Sequence, residues 1–395
     1  MINAVCGSGS TGRIVTDLCD VLKKDGNFVK VAYGIGTATR IDASDAIKIE
    51  TKVGYYIHNA LSRFADRAGF YSCIATRKLI SAINVFKPDV IHIHNLHGYY
   101  VNIKMLFQYL ASQDIPVVWT LHDCWAMTGH CAHFSYIHCD KWVAGCHHCP
   151  QLRAYPKCYL LDRSARNYKE KKRLFTSVKR MTIATPSEWL AGIVRKSFLN
   201  RYEVQVIPNG IDLNVFKPTP SDFRERYGLE NKKIVLAVSN VWIEKKGFSD
   251  VCKLSQMLDQ GEFQVVMVGL TEKQMNCVPK TILPIQRTSS MEELVQIYSA
   301  ADIFINPSYE ETMGMVTVEA MACGLPCIVY DQTAVPEVID SETGIVVRAG
   351  DISAMCTAIH LMETKSEFGC KSVAKDYCKE SSFAKYKHLY ENIVR

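Results

Sequence analysis

The stretch Asn306-Pro-Ser-Tyr-Glu-Glu-Thr-Met-Gly-Met-Val-Thr-Val-Glu-Ala-Met-Ala-Cys-Gly-Leu-Pro326 decides how the rest of the chain is read. Pro307, Ser308 and Gly314 suit a loop. Met315 to Ala322 holds no breaker and closes on Gly324 and Pro326, so the pattern predicts a short helix after an irregular segment. Glu311 then lies ahead of the helix and Glu319 on it. A helix N-terminus fed by a glycine-containing loop offers unpaired N–H groups and the positive end of a dipole, which suits phosphate. At about 1.5 Å rise per residue the two carboxylates stand roughly 10–12 Å apart along the axis. A sugar, a diphosphate and a ribose in line have similar length. Carboxylates accept hydrogen bonds from hydroxyls, so Glu311 is expected on a sugar and Glu319 on a ribose. For an isolated pair of glutamates the alternative is a helix cap and a solvent-facing side chain.

Outward from this stretch, strands and helices alternate. Lys233 to Ser239, Phe263 to Gly269, Asp302 to Asn306, Pro326 to Tyr330 and Thr343 to Val347 read as buried strands. Glu292 to Ala301 reads as a helix, and Thr333 to Ile339 as a turn into one. That alternation predicts parallel α/β sheet. The front half repeats it. Ile2 to Cys6 meets Gly7-Ser-Gly-Ser-Thr-Gly12, then a helical pattern from Arg13 to Lys24; Val29 to Tyr33 follows as a strand, and Tyr56 to Phe70 as an apolar helical stretch. Lys87 to His97 reads as a buried strand carrying His92, His94 and His97 toward its end, and Pro116 to Asp123 repeats the arrangement. Ligand sites in open α/β sheets lie beyond the carboxyl ends of strands, which makes His94, Asn95, His122 and Asp123 candidates. Each histidine taken alone is more often structural. Met181 to Ser187 is a further strand, and Pro208, Asn209 and Gly210 give an irregular crossing that continues as a linker through Pro220. Phe383, Tyr386, Tyr390 and Ile393 are spaced as an amphipathic terminal helix.

The segment around Glu311 and Glu319 resembles the signature of glycosyltransferase family 4, retaining enzymes of the GT-B fold, and the wider pattern resembles its exopolysaccharide, colanic-acid and capsule branch. The resemblance implies α/β architecture with two Rossmann-like doubly wound domains facing across a cleft. The expected division is residues 1–210 as the acceptor-side domain with a Cys/His-rich insertion at 124–158, residues 211–378 as the nucleotide-sugar domain, and residues 379–395 as a helix returning to the first. It also implies Glu311 and His122 at the donor sugar, Glu319 at the ribose, and Gly314 and Met315 at the diphosphate. Gly9, Ser10, Thr11 and Gly12 would face the acceptor with His94, Asn95 and Asp123. The family carries an arginine and a lysine after its strand at Lys233 to Ser239. Lys246 matches the lysine, but Ser239-Asn240-Val241 stand where the arginine is expected, leaving Lys245 as a substitute that is a point charge and not a fork. The family's first strand also has several more residues ahead of Ile2, so Met1 is read as a misplaced or truncated start.

The bulk numbers bound these readings. At 395 residues and 48% hydrophobic composition the chain can build two cores. It shows no basic leader and no run of about 18 apolar residues, so a cytoplasmic protein is expected, peripheral at the inner face of the membrane at most. Met1 to Glu203 holds 27 Lys and Arg against 15 Asp and Glu, and the remainder 19 against 25. A basic front half suits an anionic membrane or a lipid-diphosphate acceptor, or is a solvated helix face such as Arg163 to Arg180. No recognisable module interleaves those charges with aromatics, which argues against nucleic acid. Six of the 16 cysteines fall between Cys124 and Cys158. Cys131, Cys139, Cys146 and Cys149 suit a structural zinc, while buried reduced thiols or a redox role remain alternatives.

The reading is a glycosyltransferase that moves a sugar, with retention, from a UDP- or GDP-sugar to a hydroxyl of a lipid-linked or oligosaccharide acceptor. No cofactor or catalytic metal is required. The rivals are a nucleotide-sugar epimerase of the same architecture and a non-catalytic nucleotide-sugar-binding protein.

Overall fold

Residues 1–363 and 375–394 are described by the structure, a computed structural model. Two units partition the chain: Met1–Ile207 with Phe383–Arg395, and Pro208–Ser382.

The first unit is a seven-stranded parallel sheet of β1 (Ile2–Asn3), β2 (Val31–Tyr33), β3 (Ala46–Lys48), β4 (Ile91–Ile93), β5 (Val117–Thr120), β6 (Met181–Thr185) and β7 (Glu203–Val206). Their order across the sheet is β3-β2-β1-β4-β5-β6-β7. The chain winds outward from β1 in one direction and then resumes beside it at β4, which creates a switch point between those two strands. The inner strands β1, β2, β4, β5 and β6 are buried throughout, as both faces carry helices. The helix Gly9–Lys24 starts three residues earlier than Gly12, so four residues of the expected glycine loop form its first turn. β1 is only two residues long, and the Met1 ammonium behind it donates to Lys30 O at 2.7 Å. Burial lowers that ammonium's pKa to about 6.

Helix Lys379–Val394 supplies Phe383, Tyr386 and Leu389 to a cluster with Leu18, Leu22, Val118 and Ala184. Its tyrosines also bond to the sheet: Tyr386 Oη lies 2.9 Å from Thr120 Oγ1, and Tyr390 Oη 2.6 Å from His92 Nδ1.

The second unit is a six-stranded parallel sheet of β8 (Lys233–Val238), β9 (Phe263–Val268), β10 (Ile282–Ile285), β11 (Ile303–Asn306), β12 (Cys327–Tyr330) and β13 (Gly344–Val347), in the order β10-β9-β8-β11-β12-β13. The winding is the same, and its switch point falls between β8 and β11. Ile234 and Leu236 pack with Val266, Phe304 and Val329 on one face, and Val235 and Ala237 with Val265, Ile305 and Ile328 on the other. The turn into a helix expected at Thr333 to Ile339 is a turn followed by a single 3₁₀ turn at Val335–Val338.

Candidate active site

In the second unit the residues after β8 and β11 converge. Gly247 has φ 74°, and a Cβ there would stand 2.4 Å from Pro307 O, so only glycine lets the two loops touch. That contact brings Lys245 and Lys246 against the loop after β11. Lys246 Nζ lies 2.5 Å from Glu311 Oε1 and donates to Glu310 O at 2.8 Å. Lys245 Nζ lies 2.8 Å from Glu310 Oε2, and Tyr309 N donates to Lys245 O at 2.9 Å. Glu311 N donates to Thr333 Oγ1 at 3.0 Å, tying the loop to the end of β12.

Gly314 is the N-cap of helix Met315–Ala322, with φ 85° and ψ 49°. A left-handed cap suits glycine, and the first N–H groups of any α-helix lack intrahelical partners. Both lysines and this helix start therefore lie at the switch point, where two cations and a row of donors suit a polyanion. Glu319 meets a different environment. Its Oε2 accepts from Tyr298 Oη at 3.2 Å. Burial, and then the charge and hydrogen bond of Glu319, push that phenol well above its ordinary pKa, so it stays a donor.

In the first unit the ends of β4 and β5 carry a row of imidazoles. His92 Nε2 lies 2.7 Å from Thr120 Oγ1, which with Tyr390 satisfies both its nitrogens. His92 lies within β4 and serves the helix Lys379–Val394, away from the ligand-facing end that its sequence position suggested. His94 Nδ1 lies 3.1 Å from His122 Nε2, with the rings stacked at 13°. His94 Nε2 is buried and has no hydrogen-bond partner among the described residues. Burial holds His94 well below the usual imidazole range, with His92 and His122 adding to the shift. His122 is lowered to about 4, by burial against the opposing pull of Asp123. The row is thus neutral at pH 7.

Beside it, His97 Nε2 lies 2.5 Å from Asp123 Oδ2, and His97 Nδ1 2.9 Å from Tyr155 Oη. Burial pushes Asp123 up, but His97, His133 and the Trp125 N–H outweigh it, so the carboxyl stays well below the usual range. Asn95 N donates to Asn3 Oδ1 at 3.2 Å, bridging the ends of β4 and β1. Gly9 and Ser10 are exposed, Thr11 half-buried and Gly12 buried.

The Cys/His-rich segment does not bear out the zinc reading. Cys131, Cys139, Cys146 and Cys149 border one small hollow. Among the described residues, however, no group of three or more His, Cys, Asp or Glu is arranged to hold a metal ion. The thiols are engaged otherwise: Cys146 Sγ accepts from Gly129 N at 3.2 Å. Hydrogen bonding to Cys149 raises the Cys131 pKa, and the same bond lowers Cys149 to about 7. Nearby, Lys171 also departs from its sequence reading as part of a solvated basic face. It is buried, donates to Trp125 O at 2.8 Å and Thr128 O at 3.1 Å, and burial lowers it to about 7.

Glu310, Tyr155 and Tyr298 were not singled out from sequence. The Glu310-Glu311 doublet was the available signal for the first, since two adjacent carboxylates facing two adjacent lysines invite two pairs.

Two doubly wound parallel sheets, each with polar groups beyond its strand ends, are the GT-B architecture. Residues 11–215 match the profile of Glycosyltransferase Family 4, and residues 232–363 that of Glycosyl transferases group 1. The chain belongs to glycosyltransferase family 4. It is 23% identical to the putative colanic acid biosynthesis glycosyl transferase WcaC of Escherichia coli K12, over 99% of this chain and 98% of that one. It is 24% identical to the Escherichia coli UDP-Gal:alpha-D-GlcNAc-diphosphoundecaprenol alpha-1,3-galactosyltransferase, over 42% of this chain and 46% of the relative. Anabaena HepE, solved in complex with UDP-glucose, shares the fold at a TM-score of 0.67 and 14% identity, over 99% of this chain and 98% of that one. No helix among the described residues is long and apolar enough to cross a membrane.

Proposed function

We propose that the protein transfers a sugar from a UDP- or GDP-sugar to a hydroxyl of a growing lipid-linked surface glycan, with retention at the anomeric carbon. The observation that carries this reading is the pairing of Lys245 and Lys246 with Glu310 and Glu311 beside the Gly314 helix start. A diphosphate competes for both ammonium groups. As Lys246 turns to phosphate, Glu311 is released to accept from hydroxyls of the donor sugar. Met315 and Gly314 contribute backbone donors, and Glu319 takes the ribose.

The anomeric C–O bond breaks with its electron pair on the β-phosphate oxygen. The acceptor oxygen bonds to the same carbon, and its proton passes to the leaving oxygen. Lys245, Lys246 and the helix start stabilise the charge that develops there. His122 lines the sugar, and His94, Asn95, Asp123 and Gly9 to Gly12 take the acceptor. Residues 1–210 are then the acceptor domain and 211–378 the donor domain, at the inner face of a membrane. The HepE complex with UDP-glucose supports the donor class, and the diphosphoundecaprenol relative supports the acceptor class.

The test is to incubate the purified protein with a panel of UDP- and GDP-sugars and a diphospholipid-linked glycan, following nucleotide release and the product's anomeric configuration by NMR. A new glycosidic bond of the donor's configuration is expected. An epimerised donor formed without acceptor, or no turnover of any donor, would refute the proposal.

A further inference from the structure

Helix Lys52–Ala65 is inverted with respect to its own unit. The residues it buries are polar, His58 and Ser62. His58 is satisfied inside: Gly69 N donates to its Nε2 at 3.1 Å, which leaves Nδ1–H to donate to Ser72 Oγ at 2.8 Å. The opposite face carries Val53, Tyr56, Ile57, Leu61 and Phe64, at helical spacings of three, four, eight and eleven from the first. Their side chains are 43–68% exposed. A helix of a globular protein ordinarily turns such a stripe to the core.

The stripe is extended by the segment at residues 159–161. Tyr159 N donates to Arg63 O at 2.7 Å and Leu161 N to Phe64 O at 3.2 Å, which seats Leu160, 70% exposed, beside the end of the helix. A contiguous apolar surface of this kind marks an interaction site.

Its charge selects the partner. The helix and the segment at residues 153–161 contain no Asp or Glu, while Lys52, Arg63, Arg153 and Lys157 are all exposed. An apolar helical stripe bordered by four exposed cations, with Asp162 as an exposed carboxylate next to the segment, has a net positive rim and suits a surface that is greasy within and anionic at its rim. We propose that this face docks the protein on an anionic phospholipid bilayer, with the helix lying in the headgroup plane and Ile57, Leu61 and Phe64 entering the acyl boundary. The proposal deepens the reading of a lipid-linked acceptor and rests on it for its biological sense, but not for its physics.

The experiment is vesicle co-sedimentation of the full chain. Phosphatidylcholine vesicles are compared with vesicles containing about one-third phosphatidylglycerol, the anionic lipid supplying the surface potential. A triple variant, Ile57→Glu with Leu61→Glu and Phe64→Glu, tests the stripe, and Lys52→Glu with Lys157→Glu tests the rim. All five side chains are solvent-facing, so circular dichroism and thermal midpoint should match the wild type.

The wild type is expected to sediment with the anionic vesicles only, and each variant to lose about tenfold or more in partitioning. Equal binding to neutral vesicles, or undiminished binding of the triple variant, overturns the proposal. So does absence of vesicle binding together with a concentration-dependent dimer that the triple variant abolishes, since the stripe would then face a second copy. Donor turnover toward a water-soluble acceptor is measured on the same samples. If turnover is absent while vesicle binding behaves as expected, the transferase reading fails and the docking surface stands.

Discussion

The two switch points are built from the same topology but opposite chemistry. Between β8 and β11 two lysines meet two glutamates at 2.5–2.8 Å, with Glu310 buried and the other three side chains about a quarter exposed. At the end of β4, His94 lies buried and neutral, with one nitrogen paired to His122 and the other without a partner among the described residues. The part-exposed Lys246–Glu311 pair can be exchanged for a polyanion at little desolvation cost, whereas the Lys245–Glu310 pair holds a buried carboxylate that is costly to leave alone. A dry and neutral row cannot hold an anion, but it orients hydroxyls through donors and acceptors fixed in advance. On the proposed reading, each switch point would take the kind of group that its own side chains suit.

The sharpest way to break this contrast is to remove charge from the second unit. Glu311→Gln keeps the shape and loses the acceptor strength, and Lys246→Met loses the cation. Each is expected to lower kcat by about 10²–10³-fold in the nucleotide-release assay, as for the loss of one electrostatic stabiliser. If the paired residues only brace the loops, both variants would instead lower thermal stability and leave kcat within a few-fold.

Acid is the next test, and it acts on the first unit. His58 at about 3 and His122 at about 4 are held by burial below the ordinary imidazole value of 6.5. The unfolded chain then binds protons that the native chain does not, so their contribution to stability is complete above pH 6.5 and is lost as pH falls to about 4 for His122 and about 3 for His58. For His122 alone this amounts to about 3 kcal/mol. Denaturant midpoints measured from pH 7.5 to 4.5 should fall through that window. A flat profile would show that these imidazoles are hydrated and charged.

The smallest effect is expected at Tyr390→Phe. It leaves His92 Nδ1 without its partner at 2.6 Å and should cost about 1–2 kcal/mol by urea unfolding, with turnover unchanged. A loss of activity without a loss of stability would move His92 into the site.

Much of the second unit was legible because its strands are short, mostly apolar and bounded by turn residues, and Met315–Ala322 has the predicted limits. β10 was missed because Pro284 interrupts Ile282–Ile285, a pattern that edge position tolerates. β3 was missed for a related reason: Ala46–Lys48 is a three-residue edge strand with no alternation to detect. Helix Cys73–Phe86 lacks a conventional start, since Ser72 has φ 61° and makes no side-chain cap. Glu311, Glu319 and Lys246 could be named from sequence because they stand in segments whose local pattern resembles the family's. Their partners could not. Glu310 meets Lys245 and His92 meets Tyr390 across 65 and 298 residues, and no local pattern reports such a distance.

The placement of Tyr386 and Tyr390 in the first unit has a consequence for synthesis. The core around Leu18, Val118 and Ala184 is closed by residues that leave the ribosome only after Pro208–Ser382, a stretch of 175 residues. At about 5–20 residues per second, that leaves the first sheet uncovered for roughly 10–35 s in the cell. During that interval the faces of β5 and β6 that await Phe383 and Leu389 are open to chaperones, and a ribosome stalled anywhere in the second unit releases a first unit that is still unsealed.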